Sequence, residues 1–167
     1  APRWKPLLLL LVAAVGVAWG VATLSARHDL DKAITAGAAI YKSGACIACH
    51  GDKGGQSLDP SYPQLSSSKL VSGPKAELVR YFAHLGTEKP QPIMRAQIDP
   101  LSDAAVAQVA TYLRNVRQPP TGDMVTAEEV HAARLRRPPD YVPPARPDPQ
   151  EPQTTQALMT DGAKVYA

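Results

Sequence analysis

The chain has 167 residues, of which 5% are aromatic, a net charge of +3, and two cysteines that both fall in one short stretch. Two cysteines exclude a disulfide framework and a four-cysteine zinc site, and so mild a charge argues against a nucleic-acid binder. A domain this poor in large aromatics has a thin core of its own, so a buried cofactor is expected to supply apolar mass.

The first residue is Ala1, so the native start is expected to have been trimmed or left out. Residues 1–6 form a flank carrying Arg3 and Lys5, and Leu7 to Leu24 is an uncharged apolar run. As a helix the run spans roughly 27 Å, close to the ~30 Å hydrocarbon core of a bilayer. Past it, Arg27, Asp29, Asp31 and Lys32 cancel. The positive-inside rule then keeps the N-terminus in the cytoplasm and puts everything after Leu24 outside. Trp4 fits an interfacial anchor. A cleaved signal peptide is the rival, since Gly20-Val21-Ala22 suits a cleavage site, but signal h-regions run only ~7–15 residues. Residues 25–32 read as a juxtamembrane linker.

Residues 33–118 read as an all-α folded domain. Ala33 to Ser43 is expected as a helix capped by Asp31, with Ile34, Ala38 and Tyr41 on one face. Lys53 to Pro74 is rich in Gly, Ser and Pro and reads as loops. Lys75 to Leu85 is expected as a helix presenting Leu78, Tyr81, Phe82 and Leu85, ended by Gly86. Thr87 to Pro100 holds three prolines and is expected to be extended. Ser102 caps a last helix, with Asp103 favourable to its dipole, and Val106, Val109, Ala110, Leu113 and Val116 repeat at helical spacing. Residues 119–137 read as a short helical extension started by Thr126. Residues 138–160 form a proline-rich arm without a core of its own.

Cys46-Ile47-Ala48-Cys49-His50 carries the chemistry. The C-x-x-C-H form reads as covalent attachment of a c-type haem. Two thiols three positions apart lie on one side of a helical turn and reach the two vinyl groups of one porphyrin, while the next residue turns its imidazole to the iron. A thioredoxin-like site uses C-x-x-C in a βαβ setting, whereas the flanks here read as helical. A zinc site needs a fourth ligand that is not obvious nearby. A buried structural pair is the remaining alternative.

His50 is expected to donate its second ring N–H to a backbone carbonyl. Pro60 and Pro63 both follow in the next loop, and Pro63 is preferred. For the opposite side of the iron, Met94 stands just before the last helix, in a segment placed to cross the haem face. Met124 and Met159 lie beyond that helix, His84 reads as a packed or surface residue, His28 is juxtamembrane and His131 sits among charges. Histidine with methionine fills the coordination sphere and raises the potential; without Met94 the iron has an open position suited to ligand binding or peroxidase-like chemistry.

Gly37, Ala38 and Tyr41, the Cys46 to His50 motif, the Gly51–Gly54–Gly55 turn, Tyr62-Pro63-Gln64-Leu65, Met94, and Leu101-Ser102-Asp103 opening a helix with Tyr112-Leu113-Arg114 together resemble the class I cytochrome c fold over about ninety residues. More narrowly, Pro63 to Leu70, Leu78-Val79-Arg80, and Val125-Thr126 to Val130 with Arg134 look like the haem domains of multi-haem cytochrome subunits of bacterial periplasmic alcohol or aldehyde dehydrogenases. Arg95 and Ala96 follow Met94 where proline is more usual, and one complete haem motif is present rather than several.

The resemblance implies haem c attached outside the cytoplasm, on a single-pass protein of the bacterial inner membrane with its haem domain in the periplasm. It implies an electron carrier rather than an enzyme, accepting electrons from a catalytic dehydrogenase subunit and passing them to the respiratory chain. A subunit of, or donor to, a terminal oxidase is the alternative, and a haem enzyme or sensor with an open ligand position is a further one. Lys42, Lys53, Lys69, Lys75 and Arg95 read as solvated charges, with steering of an acidic partner as the other reading. Finally, Gly162-Ala163-Lys164-Val165-Tyr166 echoes Gly37-Ala38-Ala39-Ile40-Tyr41, so residues 161–167 are expected to open a second haem domain.

Overall fold

The computed structural model describes residues 5–44, 46–55, 57, 59, 61–85 and 92–137. Seven α-helices follow one another among them: α1 Lys5–Ser43, α2 Cys46–His50, α3 Lys69–Ser72, α4 Lys75–Ala83, α5 Pro92–Ile98, α6 Asp103–Val116 and α7 Ala127–Arg134. A single 3₁₀ turn, Asp52–Gly54, lies between α2 and α3, and the described residues contain no strand. The expected proline-rich arm and the echo at 161–167 fall outside the described residues.

The expected linker at 25–32 is helical instead, and Asp31 lies inside α1 rather than capping it. From Val21 to Ala36 there is no glycine or proline, so nothing interrupts the backbone ladder. The result is a continuous rod of about 58 Å. Its first part is long and apolar enough to cross a membrane, and none of that window is buried by the rest of the fold. Val12, Val17, Trp19 and Leu24 stand exposed.

The last turns of α1 cross α6. Gly37 marks the point of closest approach: a Cβ there would stand 2.0 Å from the Gln108 carbonyl oxygen and 2.8 Å from Tyr112 Cβ. One turn on, Tyr41 is buried and packs its ring on Tyr112, centroids 5.3 Å apart. On α6 the expected Val106, Val109, Ala110 and Leu113 are buried, and Leu78, Phe82 and Leu85 meet them in one core. Ser102 caps α6 as read from the sequence, accepting from the Ala105 N–H at 3.1 Å.

The α7 segment is part of this core rather than an appendage to it. Val130 is fully buried, and α7 packs on both α4 and α6. Thr126 and Glu129 close a capping box at its start. Replacing Thr126 by alanine is expected to lower stability by about 1 kcal/mol, read as a shift of the denaturant midpoint at unchanged slope.

One buried cation ties the fold's loops to α6. Arg114 donates to the carbonyls of Val71 (2.8 Å) and Gly73 (2.9 Å), and forms a two-pronged pair with Asp123, both contacts at 2.8 Å. The Arg114 hydrogen bonds hold the Asp123 carboxyl below its usual range. A carboxylate with a lower pKa folded than unfolded adds stability above its unfolded value, about 3.9. That contribution is lost as pH falls through the folded value. The stability gap between the parent protein and Asp123→Asn is therefore expected to narrow below about pH 4, as measured by denaturation across a pH series.

Candidate haem site

Helix α2 is one turn built from the cysteine motif. Tyr41 at the end of α1 donates its hydroxyl proton to the Gly51 carbonyl at 2.8 Å, which fixes where α2 ends. Gly51 itself leaves the turn at φ 71°, a region open to glycine. Beyond the 3₁₀ turn the chain folds back, Ser66 N–H donating to Gly54 O at 2.9 Å. This return brings Pro63 over the His50 ring. Ser57 donates to the Cys49 carbonyl at 2.8 Å, and Tyr62 meets the imidazole nearly edge-on, centroids 6.2 Å apart.

A cavity of about 310 Å³ opens beside α2, walled by Leu65, Leu70, Val71, Leu78, Phe82 and Leu113. Cys46, Cys49, His50 and Met94 all face it. His50 is 3% exposed, while both cysteines are half-buried. Burial pushes the Cys46 thiol above its ordinary range.

Met94 reaches the cavity from a helix, not from the extended segment expected over Thr87 to Pro100. Pro92 is the first residue of α5, where a missing N–H costs nothing, and Pro100 lies past its end. Of the stretch 87–100, residues 87–91 lie outside the described residues.

His50 Nδ1 stands 3.0 Å from the Pro63 carbonyl oxygen, and Nε2 stands 3.5 Å from Met94 Sδ. A carbonyl only accepts, so the Nδ1 position carries the proton. With Nδ1 engaged by the Pro63 carbonyl, Nε2 is the ring atom that faces Met94 Sδ. An imidazole nitrogen and a thioether sulfur, both able to ligate a haem iron, therefore meet at an apolar cavity. Two thiols on one turn, an opposed imidazole and thioether, and apolar walls fit a covalently held haem.

The alternatives fare less well. No cluster of three or more His, Cys, Asp or Glu side chains suited to a metal occurs among the described residues. His84 is engaged with the Ala133 carbonyl at 3.0 Å, His131 pairs with Asp103 at 2.9 Å, and His28 is exposed on α1. Sequence reasoning missed Tyr41 as a support of α2 and Arg114 as a clamp on the cavity wall at Val71. A tyrosine five residues before the first cysteine is the only local signal for the former.

An all-helical fold around this site defines a c-type cytochrome domain, with haem c as its cofactor and electron transfer as its work. Residues 32–113 match the family model for cytochrome c oxidase, cbb3-type, subunit III. No curated protein and no solved structure matches the chain. Helix α7 lies beyond the matched span although it shares the core.

Proposed function

We propose that the chain is a membrane-anchored electron carrier holding one haem c. In this reading Cys46 and Cys49 would hold the group covalently, His50 Nε2 and Met94 Sδ would ligate its iron, and the haem domain spans residues 33–137. The opposition of His50 Nε2 and Met94 Sδ across the cavity carries the proposal. When bound, the haem iron supplies a one-electron couple, with a potential set by its axial ligands and burial.

The chain's own residues do the rest. Pro63 O accepts the Nδ1 proton, fixing the imidazole tautomer and aiming Nε2 into the cavity. Met94 would ligate the iron beside His50 and so leave it no open position for a substrate, as an electron carrier requires. The aliphatic walls keep water and its reorganisation away from the couple. Helix α1 keeps the domain beside the bilayer, and the charges flanking its apolar part support a domain on the outer, periplasmic face of a bacterial inner membrane. Anchoring raises the effective concentration of the carrier toward membrane-bound partners.

The family model's description favours a terminal oxidase as the partner. A periplasmic dehydrogenase subunit is the second reading, favoured by the Pro63 to Leu70 and Val125 to Val130 resemblance. Gentle solubilisation of native membranes and affinity capture on this chain distinguish the two. Oxidase subunits in the eluate support the first reading, and a catalytic dehydrogenase subunit replaces it with the second. A chain that elutes without haem overturns the carrier itself.

A further inference from the structure

Helix α5 carries Met94, yet the groups that secure its far end come from α7, outside the matched family span. Arg134 reaches from the end of α7 to the turn between α5 and α6. Its Nη1 donates to the Leu101 carbonyl at 3.0 Å and to Asp103 at 2.7 Å, and its Nη2 donates to the Ile98 carbonyl at 3.3 Å. Ile98 is the last residue of α5; its carbonyl accepts the Leu101 N–H at 3.1 Å, and the guanidinium adds a second donor that ties this end of α5 to α7. Three residues on, Arg137 donates to Asp99 at 3.2 Å and to the Ala83 carbonyl at the end of α4. The Asp99 side chain is only 5% exposed and also receives Arg95 at 3.1 Å. Helix α7 is itself pinned, by buried Val130 and by His84 on the Ala133 carbonyl.

We propose that Arg134 and Arg137 are positioning residues for the sixth ligand: through Ile98, Asp99 and Leu101 they hold α5 so that Met94 stays opposed to His50. The inference rests on Met94 being that ligand. Ile98 is buried at the end of the seven-residue α5, and both arginines act at that end, on Ile98, Asp99 and Leu101. Loosening this end lets α5 swing away from the cavity and frees the position opposite His50. The carrier then acquires a minor state that takes up small ligands. A ligand that binds only this open state has an apparent affinity scaled by the open fraction.

The test uses the full-length haem-loaded protein with Arg134→Ala, Arg137→Ala, Arg137→Lys and Met94→Ala. The readouts are the sulfur-to-iron charge-transfer band of the oxidised state, the midpoint potential, and the affinity for added imidazole. Both arginine-to-alanine variants are expected to weaken the band, lower the potential and raise imidazole affinity about tenfold or more. Arg137→Lys keeps a cation on Asp99 and is expected to lie near the parent. Asn115→Ala, which loses hydrogen bonds at the C-terminal end of α6 to Thr111 and Asp123, serves as a control for general destabilisation and should leave imidazole affinity unchanged. If Met94→Ala abolishes the band while both arginine variants keep the parent's band, potential and imidazole affinity, the positioning role is wrong. If the band survives Met94→Ala, the ligand assignment beneath it fails instead.

Discussion

Gly37→Ala is expected to cost about 3 kcal/mol, the upper end for overpacking, because the added methyl has nowhere to go. Its carbon would lie 2.0 Å from the Gln108 carbonyl oxygen and 2.6 Å from that carbonyl carbon. These are backbone atoms of α6, not the tip of a flexible side chain, so relief requires the two helices to separate. Separation would also loosen Tyr41 from Tyr112 and from the Gly51 carbonyl, and with it the turn that carries the cysteines. Against a total stability of about 5–15 kcal/mol for a domain, the loss is severe. Denaturant melts of the haem-loaded protein measure it, and a midpoint within error of the parent would show that the crossing is looser than described.

Arg114→Ala is the second large effect, with about 3 kcal/mol expected, the lower end for breaking a buried ion pair. The lower end applies because Asp123 is 38% exposed and water partly replaces its lost partner. Most of the cost lies elsewhere: the Val71 and Gly73 carbonyls lose their Arg114 donor, and each buried unpaired acceptor costs about 1–3 kcal/mol. Val71 lines the cavity, so the wall beside the haem is expected to become more open to exchange. Arg114→Met, which restores apolar volume but no donors, is expected to recover little. Full recovery by methionine would assign the role to packing rather than to hydrogen bonds.

What was legible from the sequence was local. The Ser102 and Thr126 caps stood out because cap and partner lie three residues apart, and the buried faces of α4 and α6 followed from helical spacing. The residues that converge on the cavity were legible for a different reason: a five-residue motif restricts what His50 can do, and few methionines compete for the opposite side. The state of α5 was misread because three prolines suggested an extended chain, whereas Pro92 sits at a helix start that tolerates it. The stretch 25–32, read as a linker between the apolar run and the folded domain, is helical, since charged residues extend a helix readily when no glycine or proline intervenes. Arg114, Arg134 and Arg137 were invisible in their roles. Apart from the Arg114–Asp123 pair, their contacts join residues 31 to 54 positions apart, and an arginine in sequence looks the same whether solvated or buried.

The apolar stretch and the first packed segment of the haem domain are one continuous α1, which bears on function. An electron carrier on a flexible tether samples many orientations, whereas a rod that runs unbroken into the core would, under the proposed anchoring, hold the cavity at a set height above the bilayer. That suits exchange with a partner fixed in the same membrane.

The most direct measurement is the optical spectrum of the oxidised haem-loaded protein, recorded for the parent and for Met94→Ala. Opposed His50 and Met94 ligands require a sulfur-to-iron charge-transfer band in the parent, its loss in the variant, and a lower midpoint potential once the thioether is gone. High-spin bands in the parent, or a charge-transfer band that survives the substitution, would contradict the assignment.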